Sequence, residues 1–302
     1  MRKWFLLFAL AIIVSACGGG GATIANSKYT VIYNQEAEQS AAVKKEVRDY
    51  TIAVIPKLEG IDYFNAVEDG VLEAAKDLNV NVIYKGPQAA DAEAQIAVIR
   101  ELLETPIDAI AVSSNDPDKL IPVLQEAASR NIRVITWDAD TAAEGREFFV
   151  NMVDPEVLGR HLMDTLAWST EESGKYAIMT AALSASNQNE WMDWIYAQNE
   201  EYYPNMELVD VVANDDDYDK AYTSAIQLLE QYPDLAGIIG VSSVGPPSIA
   251  QAVKEMGKHG EVKVVGLSTP NLMRTYLHDG SAQVVTLWSP KRLGYLTVAL
   301  TK

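Results

Sequence analysis

Tyr50-Thr51-Ile52-Ala53-Val54-Ile55-Pro56-Lys57 is the stretch that decides the fold. It is a short, β-branched apolar run, stopped by a proline and followed by a lysine, and such a run reads as a buried strand. Behind it Phe64, Val67, Val71, Leu72, Ala75 and Leu78 recur at helical spacing and predict one apolar helix face. Three further apolar runs follow at 80–84, 108–113 and 132–137. After the second, Ala92, Ile96, Ile99, Leu102 and Leu103 mark another helix face. After the third, Asp116-Pro117 predicts an N-cap and first-turn proline for a helix running to Arg130. The fourth run ends in Thr136-Trp137-Asp138, and 148–151 predicts a short fifth strand.

Asp154-Pro155 predicts the next helix start, and the scheme then repeats. Apolar runs begin near Tyr176, Leu208, Ala236 and Val262. Between them lie two helical faces, one with Trp191, Trp194, Ile195 and Tyr202, the other with Tyr218, Ala221, Tyr222, Ala225, Leu228, Leu229 and Tyr232. Strands that alternate with single helices imply parallel sheets and right-handed crossovers. Two such sets predict an α/β protein of two similar lobes, with a cleft lined by the carboxyl ends of strands, where ligands bind in such sheets.

The chain has 302 residues, 48% hydrophobic and 22% charged, which is the composition of a folded core. Its net charge of −18 leaves no basic footprint for nucleic acid. At the N-terminus, Met1-Arg2-Lys3 is a basic start and 4–14 an apolar run of about 11 residues. A bilayer span needs roughly 20, so residues 1–16 read as an export signal. Val14-Ser15-Ala16 leads to Cys17, the single cysteine. The pattern resembles a bacterial lipobox, in which that thiol is acylated; the alternative is an ordinary signal peptide with an incidental cysteine. One cysteine excludes an internal disulfide or a cysteine-based metal site. Residues 17–49 read as a tether, glycine-rich at 18–21 and with a short helix over 37–47.

Catalytic signatures are largely missing. Gly240-Val241-Ser242-Ser243-Val244 lacks the closing glycine of a nucleophile elbow. No phosphate-binding glycine loop follows a strand. His161, His259 and His278 have no ligand spacing and read as surface residues in or at the ends of helices. Asp215-Asp216-Asp217 suggests either a cation site or carboxylates at a helix N-terminus, and the helical face behind it favours the second. What remains is a set of polar and aromatic residues at strand ends: Lys57, Tyr63 and Phe64; Ser113-Ser114-Asn115; Trp137-Asp138-Ala139-Asp140. The second half adds Ser186-Asn187-Gln188, Ser242-Ser243, Ser268-Thr269-Pro270-Asn271 and Leu287-Trp288-Ser289. Charged and amide groups for hydroxyls, with aromatic rings for C–H faces, are what a sugar requires. No cofactor is expected.

Ile55-Pro56-Lys57 with Tyr63-Phe64, Thr136-Trp137-Asp138-Ala139-Asp140, Asn187-Gln188-Asn189-Glu190-Trp191 and the segment from Gly266 to Arg274 together resemble the sugar-type periplasmic binding proteins of ABC importers. The branch they are most similar to holds rhamnose-binding proteins and the autoinducer-2 receptor. The resemblance implies two Rossmann-like lobes joined by three crossover strands and closing on the ligand like a hinge. It implies lobes over 50–151 plus 289–302 and over 152–288. It also implies some forty residues more than this chain has after the segment at 293–296, so the chain is expected to be incomplete at its C-terminus.

Lys57, Asp138 and Gln188 match ligand-binding positions of the autoinducer-2 receptor. Asn187 stands where that receptor has aspartate, and Val241 and Ser243 where it has proline and alanine. Asn187-Gln188-Asn189 before Trp191, the segment 244–247 and the segment 293–296 look more like the rhamnose-binding side. The expected ligand-binding residues are thus Lys57, Tyr63, Phe64, Asp138, Asn187, Gln188, Ser243, Asn271 and Trp288, with Trp137 as a further ring-stacking candidate. The expected protein is a lipid-anchored, monomeric solute-binding protein of the cell envelope. It hands a rhamnose-like deoxyhexose to a membrane permease, with autoinducer-2 as the alternative cargo. A ribose-type repressor shares the two-lobe fold but needs an N-terminal helix-turn-helix and a basic face. An extracytoplasmic enzyme needs a nucleophile–base pair, and none is assembled in the sequence.

Overall fold

In a computed structural model of the protein, residues 49–302 are described. The export signal, Cys17, the tether and the helix expected over 37–47 lie outside the described residues.

The first β-branched runs become β1 (Thr51–Ile55), β2 (Asn81–Tyr84), β3 (Ala109–Val112), β4 (Arg133–Trp137) and the short β5 (Phe149–Val150). They form one parallel sheet in the order β2-β1-β3-β4-β5. Its helices are α1 (Asp62–Leu78), α2 (Ala92–Leu103) and α3 (Ile121–Ser129). The second set gives α4 (Pro155–Ser169), β6 (Gly174–Thr180), α5 (Ser186–Tyr202), β7 (Met206–Ala213), α6 (Tyr218–Gln231) and β8 (Leu235–Gly240). It continues with α7 (Gly245–Glu255), β9 (Lys263–Leu267), α8 (Pro270–Asp279) and β10 (Val284–Thr286). These strands form a second parallel sheet, β7-β6-β8-β9-β10, which repeats the order of the first. The protein is therefore a two-lobed α/β structure with parallel sheets, as the strand–helix repeat predicts.

Strands β1 and β3 are buried at nearly every position, as expected of parallel strands covered on both faces by helices. Asp154 caps α4 as its sequence predicts, accepting from the backbone N–H groups of Glu156 and Val157. Asp116 does not cap a helix. Its Oδ1 accepts from the backbone N–H of Asp118 and Lys119, closing an Asx turn around Pro117. Helix α3 starts later, with Pro122 in its first turn. The buried face of α1 is Phe64, Val67, Val71 and Ala74, while Leu72 and, on α5, Tyr202 point outward. The three histidines are exposed, and His259 sits in a loop instead of a helix.

The chain passes between the sheets at 151–154 and again at 287–289, after which α9 (Pro290–Thr301) returns to the first lobe and packs on α1. Two glycines permit that contact. A Cβ on Gly70 would lie 1.8 Å from the Lys291 carbonyl oxygen, and one on Gly294 would lie 2.1 Å from that of Val67. The backbones of α1 and α9 touch, which fixes where the second crossing, and Trp288 within it, meets α1.

Candidate functional site

Both sheets switch direction between their first and third strands, and ligands in such sheets gather outside the carboxyl ends near that point. In the first lobe these ends are Lys57 after β1 and Ser113 after β3. Pro56 ends β1, and the loop behind it is held by Gln95 of α2, a fully buried amide that the sequence did not single out. Its Nε2 donates to the carbonyl oxygens of Pro56 (3.0 Å) and Ser113 (2.7 Å), and its Oε1 accepts from the Asn115 N–H. Asn115 in turn donates to the Lys57 carbonyl at 2.7 Å. The backbone of Lys57 is thus fixed, while its ammonium group has no hydrogen-bond or ion-pair partner among the described residues.

Asp138 follows β4 in a left-handed conformation, φ 62°. That backbone turns its carboxylate back toward the neighbouring strand ends, where Oδ2 accepts from Ser113 Oγ at 2.7 Å and Oδ1 from the Tyr63 hydroxyl at 2.9 Å. Trp288 Nε1 donates to the same Tyr63 oxygen at 3.0 Å. Burial pushes the Asp138 carboxyl above its ordinary range, against the opposing pull of Lys57 and its two hydroxyl donors. Burial, then the Asp138 charge, pushes the Tyr63 phenol far up, so this hydroxyl remains a donor.

From the second lobe, the first turn of α5 supplies two amides. Asn187 Oδ1 accepts from the Gln188 N–H (2.9 Å), and Gln188 Oε1 accepts from the Ala181 N–H (2.7 Å) and from Thr180 Oγ1. With their oxygens used locally, both side chains offer NH₂ donors to the cavity they line. Asp216 joins them from the loop after β7. Its neighbour Asp217 caps α6, as expected of a carboxylate there, by accepting from the Lys220 N–H. Asp216 itself turns inward, and burial raises its carboxyl to about 6, with Lys57 opposing. The reading of the three aspartates as helix-terminal therefore holds for Asp217 and misses Asp216. The available signal was its place directly after a strand end.

Lys57, Asp138, Asn187, Gln188 and Asp216 are each 8% exposed or less and line one cavity between the lobes. Tyr63, Phe64, Ser243 and Trp288 line it too. Eight of the nine residues expected at the site therefore meet there. Asn271 does not: it lies exposed in the first turn of α8, with its Oδ1 accepting from Arg274, because Pro270 starts that helix and the next residue faces outward. Trp137 is also outside the cavity. It is fully buried, donates to the Ala111 carbonyl, and stacks edge-on against Phe64 from behind, ring centroids 5.9 Å apart. The aromatic wall facing the cavity is instead Tyr63, Trp288 and Trp191, linked by edge contacts of 6.0 and 5.7 Å. Trp191 packs in the core of the second lobe, as its helical face predicts, and also lines the cavity.

One hydrogen bond crosses the mouth of the cleft. Asp140 is held rigid by Arg146, Thr136 Oγ1 and the Thr141 N–H, so its carboxylate is committed within the first lobe. Its carbonyl oxygen accepts from Ser186 Oγ of the second lobe at 2.9 Å. A hydrogen bond of this kind is worth about 1 kcal/mol net. Ser186→Ala should therefore weaken ligand binding about fivefold, through faster dissociation, with Ser186→Thr restoring it; calorimetry and stopped-flow release would show this. Equal dissociation rates in all three would remove the clasp from closure.

Comparison with known proteins gives a consistent picture. Residues 52–302 match the family described as the periplasmic binding protein domain. A D-ribose/D-allose-binding protein of Pseudomonas aeruginosa is 22% identical over 241 residues, 76% of this chain and 74% of that protein. An ABC transporter solute-binding protein of Clostridium phytofermentas with bound L-rhamnose superposes with a TM-score of 0.82 at 29% identity, covering 84% of this chain and 80% of that one. LsrB of Clostridium saccharobutylicum in complex with AI-2 gives 0.80 at 27% identity, covering 83% and 80%. A solute-binding protein of Burkholderia graminis in complex with D-arabinose gives 0.79 at 28% identity, covering 85% and 89%. The chain belongs to the periplasmic binding protein family, an extracytoplasmic and non-enzymatic one.

Proposed function

We propose that this protein is a lipid-anchored receptor that captures a monosaccharide, a rhamnose-like deoxyhexose first, and delivers it as a monomer to a membrane permease. The observation that carries this reading is the composition of the cavity wall. Two carboxylates, two amide donors and an unpaired ammonium surround a space faced by Tyr63, Trp191 and Trp288. A polyhydroxylated ring satisfies all of them at once: its hydroxyls donate to Asp138 and Asp216, accept from Lys57, Asn187 and Gln188, and leave C–H faces for the rings. Leaving these groups buried and unpaired is costly, so their pairing is the source of affinity.

AI-2 is the second reading, because Lys57, Asp138 and Gln188 serve it equally well. Asn187 weighs against it: its amide supplies a donor where the resemblance to that receptor has an acceptor. A thermal-shift screen of the purified protein with L-rhamnose, L-fucose, D-ribose, D-galactose and AI-2 separates the two. A saturating ligand at a hundredfold excess over its Kd stabilises by about 2.7 kcal/mol. A shift with a deoxyhexose alone supports the first reading, a shift with AI-2 alone the second, and no shift with any of them from a folded protein overturns both.

The anchor is Cys17, by the lipobox pattern. Cys17→Ser should move the protein from the membrane fraction to the soluble fraction after export, and a variant that stays membrane-bound sinks the anchor.

A further inference from the structure

The charged and amide groups of the cavity are confined to one part of its wall. Lys57 and Asp138 come from the first lobe, Asn187 and Gln188 follow β6, and Asp216 follows β7 at the edge of the second sheet. The opposite half of that sheet contributes no charged or amide group: beside the hydroxyls of Ser242 and Ser243, its strand ends bring Val241 directly after β8, Leu267 at the end of β9 and Leu287 directly after β10. These three strands are neighbours, with Gly240 paired to Gly266 and Thr286 to Leu267, so the three side chains stand at adjacent positions along one sheet edge. The sheet is tight here. Gly266 has φ 152°, and a Cβ on it would lie 2.1 Å from the Gly240 carbonyl oxygen. A side chain at that position would push β8 and β9 apart and break the shelf. The two hydroxyls that follow β8 stand beside the shelf, with Ser242 Oγ accepting from Asn214 at 2.7 Å.

We infer that Val241, Leu267 and Leu287 form a shelf that receives a methyl substituent of the ligand ring, and that Val241 and Leu287 thereby set a preference for 6-deoxyhexoses over their 6-hydroxy and 6-decarbon counterparts. The inference rests on the monosaccharide reading above and adds the part of the wall that selects within it. An apolar shelf gains by covering a methyl group. A hydroxymethyl group placed there loses water against three side chains that offer it no hydrogen bond, and a bare ring hydrogen leaves the shelf uncovered.

Three sugars isolate this one substituent: L-rhamnose, L-mannose and L-lyxose carry CH₃, CH₂OH and H at the same ring carbon. Titration calorimetry of the wild-type protein should place L-rhamnose ten- to a hundredfold tighter than either of the others, the range one apolar group commands in a fitted pocket. Val241→Thr keeps the shape and adds a hydroxyl; it should cut the gap between L-rhamnose and L-mannose to within about threefold, chiefly by weakening L-rhamnose. Leu287→Gln, at a half-buried position that tolerates a polar group, should act in the same direction. The melting temperature of each variant shows whether it is folded.

Equal wild-type affinity for the three sugars, or a wild-type ratio retained in both folded variants, overturns the shelf while leaving the monosaccharide reading intact. Binding of a fully hydroxylated hexose or a pentose with no binding of the rhamnose series overturns the deoxyhexose reading and the shelf together.

Discussion

Asp138→Ala is expected to lower sugar affinity by at least tenfold and toward a hundredfold. A hydrogen bond to a charged group contributes about 1.5–3 kcal/mol, and the carboxylate is the first-lobe acceptor of the cavity. It also organises its surroundings, since Tyr63 and Ser113 both donate to it and Trp288 donates to Tyr63. Alanine would leave these donors unpaired and would sit in a left-handed backbone that costs it about 1 kcal/mol more than asparagine. Asp138→Asn is therefore the cleaner partner experiment. It keeps the backbone preference and an oxygen for Tyr63 while removing the charge, and it too should lose tenfold or more. Calorimetric titration beside a melting curve separates binding from folding. A folded Asp138→Asn protein of wild-type affinity would remove the charge from recognition.

The second large effect is a dependence of stability on pH set by Asp216. Its carboxyl, about 3.8 when unfolded, is raised by burial to about 6 in the folded protein. Between these values the native state binds the proton that the unfolded state has released, so stability falls as pH rises from 4 to 6 and levels off above. A difference of this size corresponds to about 3 kcal/mol. Asp216→Asn removes the titration. The variant should be more stable than wild type above pH 6 by roughly 2–3 kcal/mol, with the two converging near pH 4, and it should bind sugar more weakly because the second acceptor is gone. Denaturant titrations at pH 4, 5, 6 and 7.5 would show the divergence. Parallel curves across that range would mean that Asp216 does not titrate in the folded state.

Both expectations bear on how the cavity is held. Lys57, Asp138 and Asp216 are close enough to influence one another's ionisation yet have no direct ion pair among the described residues. Stability is given up at these positions so that the groups stay available to a ligand, as expected where buried charge serves binding instead of packing. Gln95 illustrates the other half of the arrangement. It touches three backbone groups across two loops and fixes the positions from which Lys57 and Ser113 act.

The sequence alone determined the strands, most of the helices and the two-sheet organisation, and eight of the nine residues it singled out line the cavity. It could do so because β-branched runs, helical periodicity and strand-end loops are local features, and a parallel α/β topology converts strand ends into neighbours without further information. What it could not determine depended on contacts between distant residues. Whether Trp137 or Trp191 faces the cavity turns on how α1 and α5 pack, and periodicity marks both only as apolar. Asp216 and Asp217 are adjacent and chemically identical, yet one caps α6 and the other lines the cleft, because the strand before them delivers only one to the sheet edge. Asn271 shares its strand-end setting with the site residues, but the proline before it starts a helix and turns it to solvent. The shelf at Val241, Leu267 and Leu287 exists only once β8, β9 and β10 lie side by side. Each residue is an ordinary apolar side chain in sequence, and tertiary register makes the three one surface.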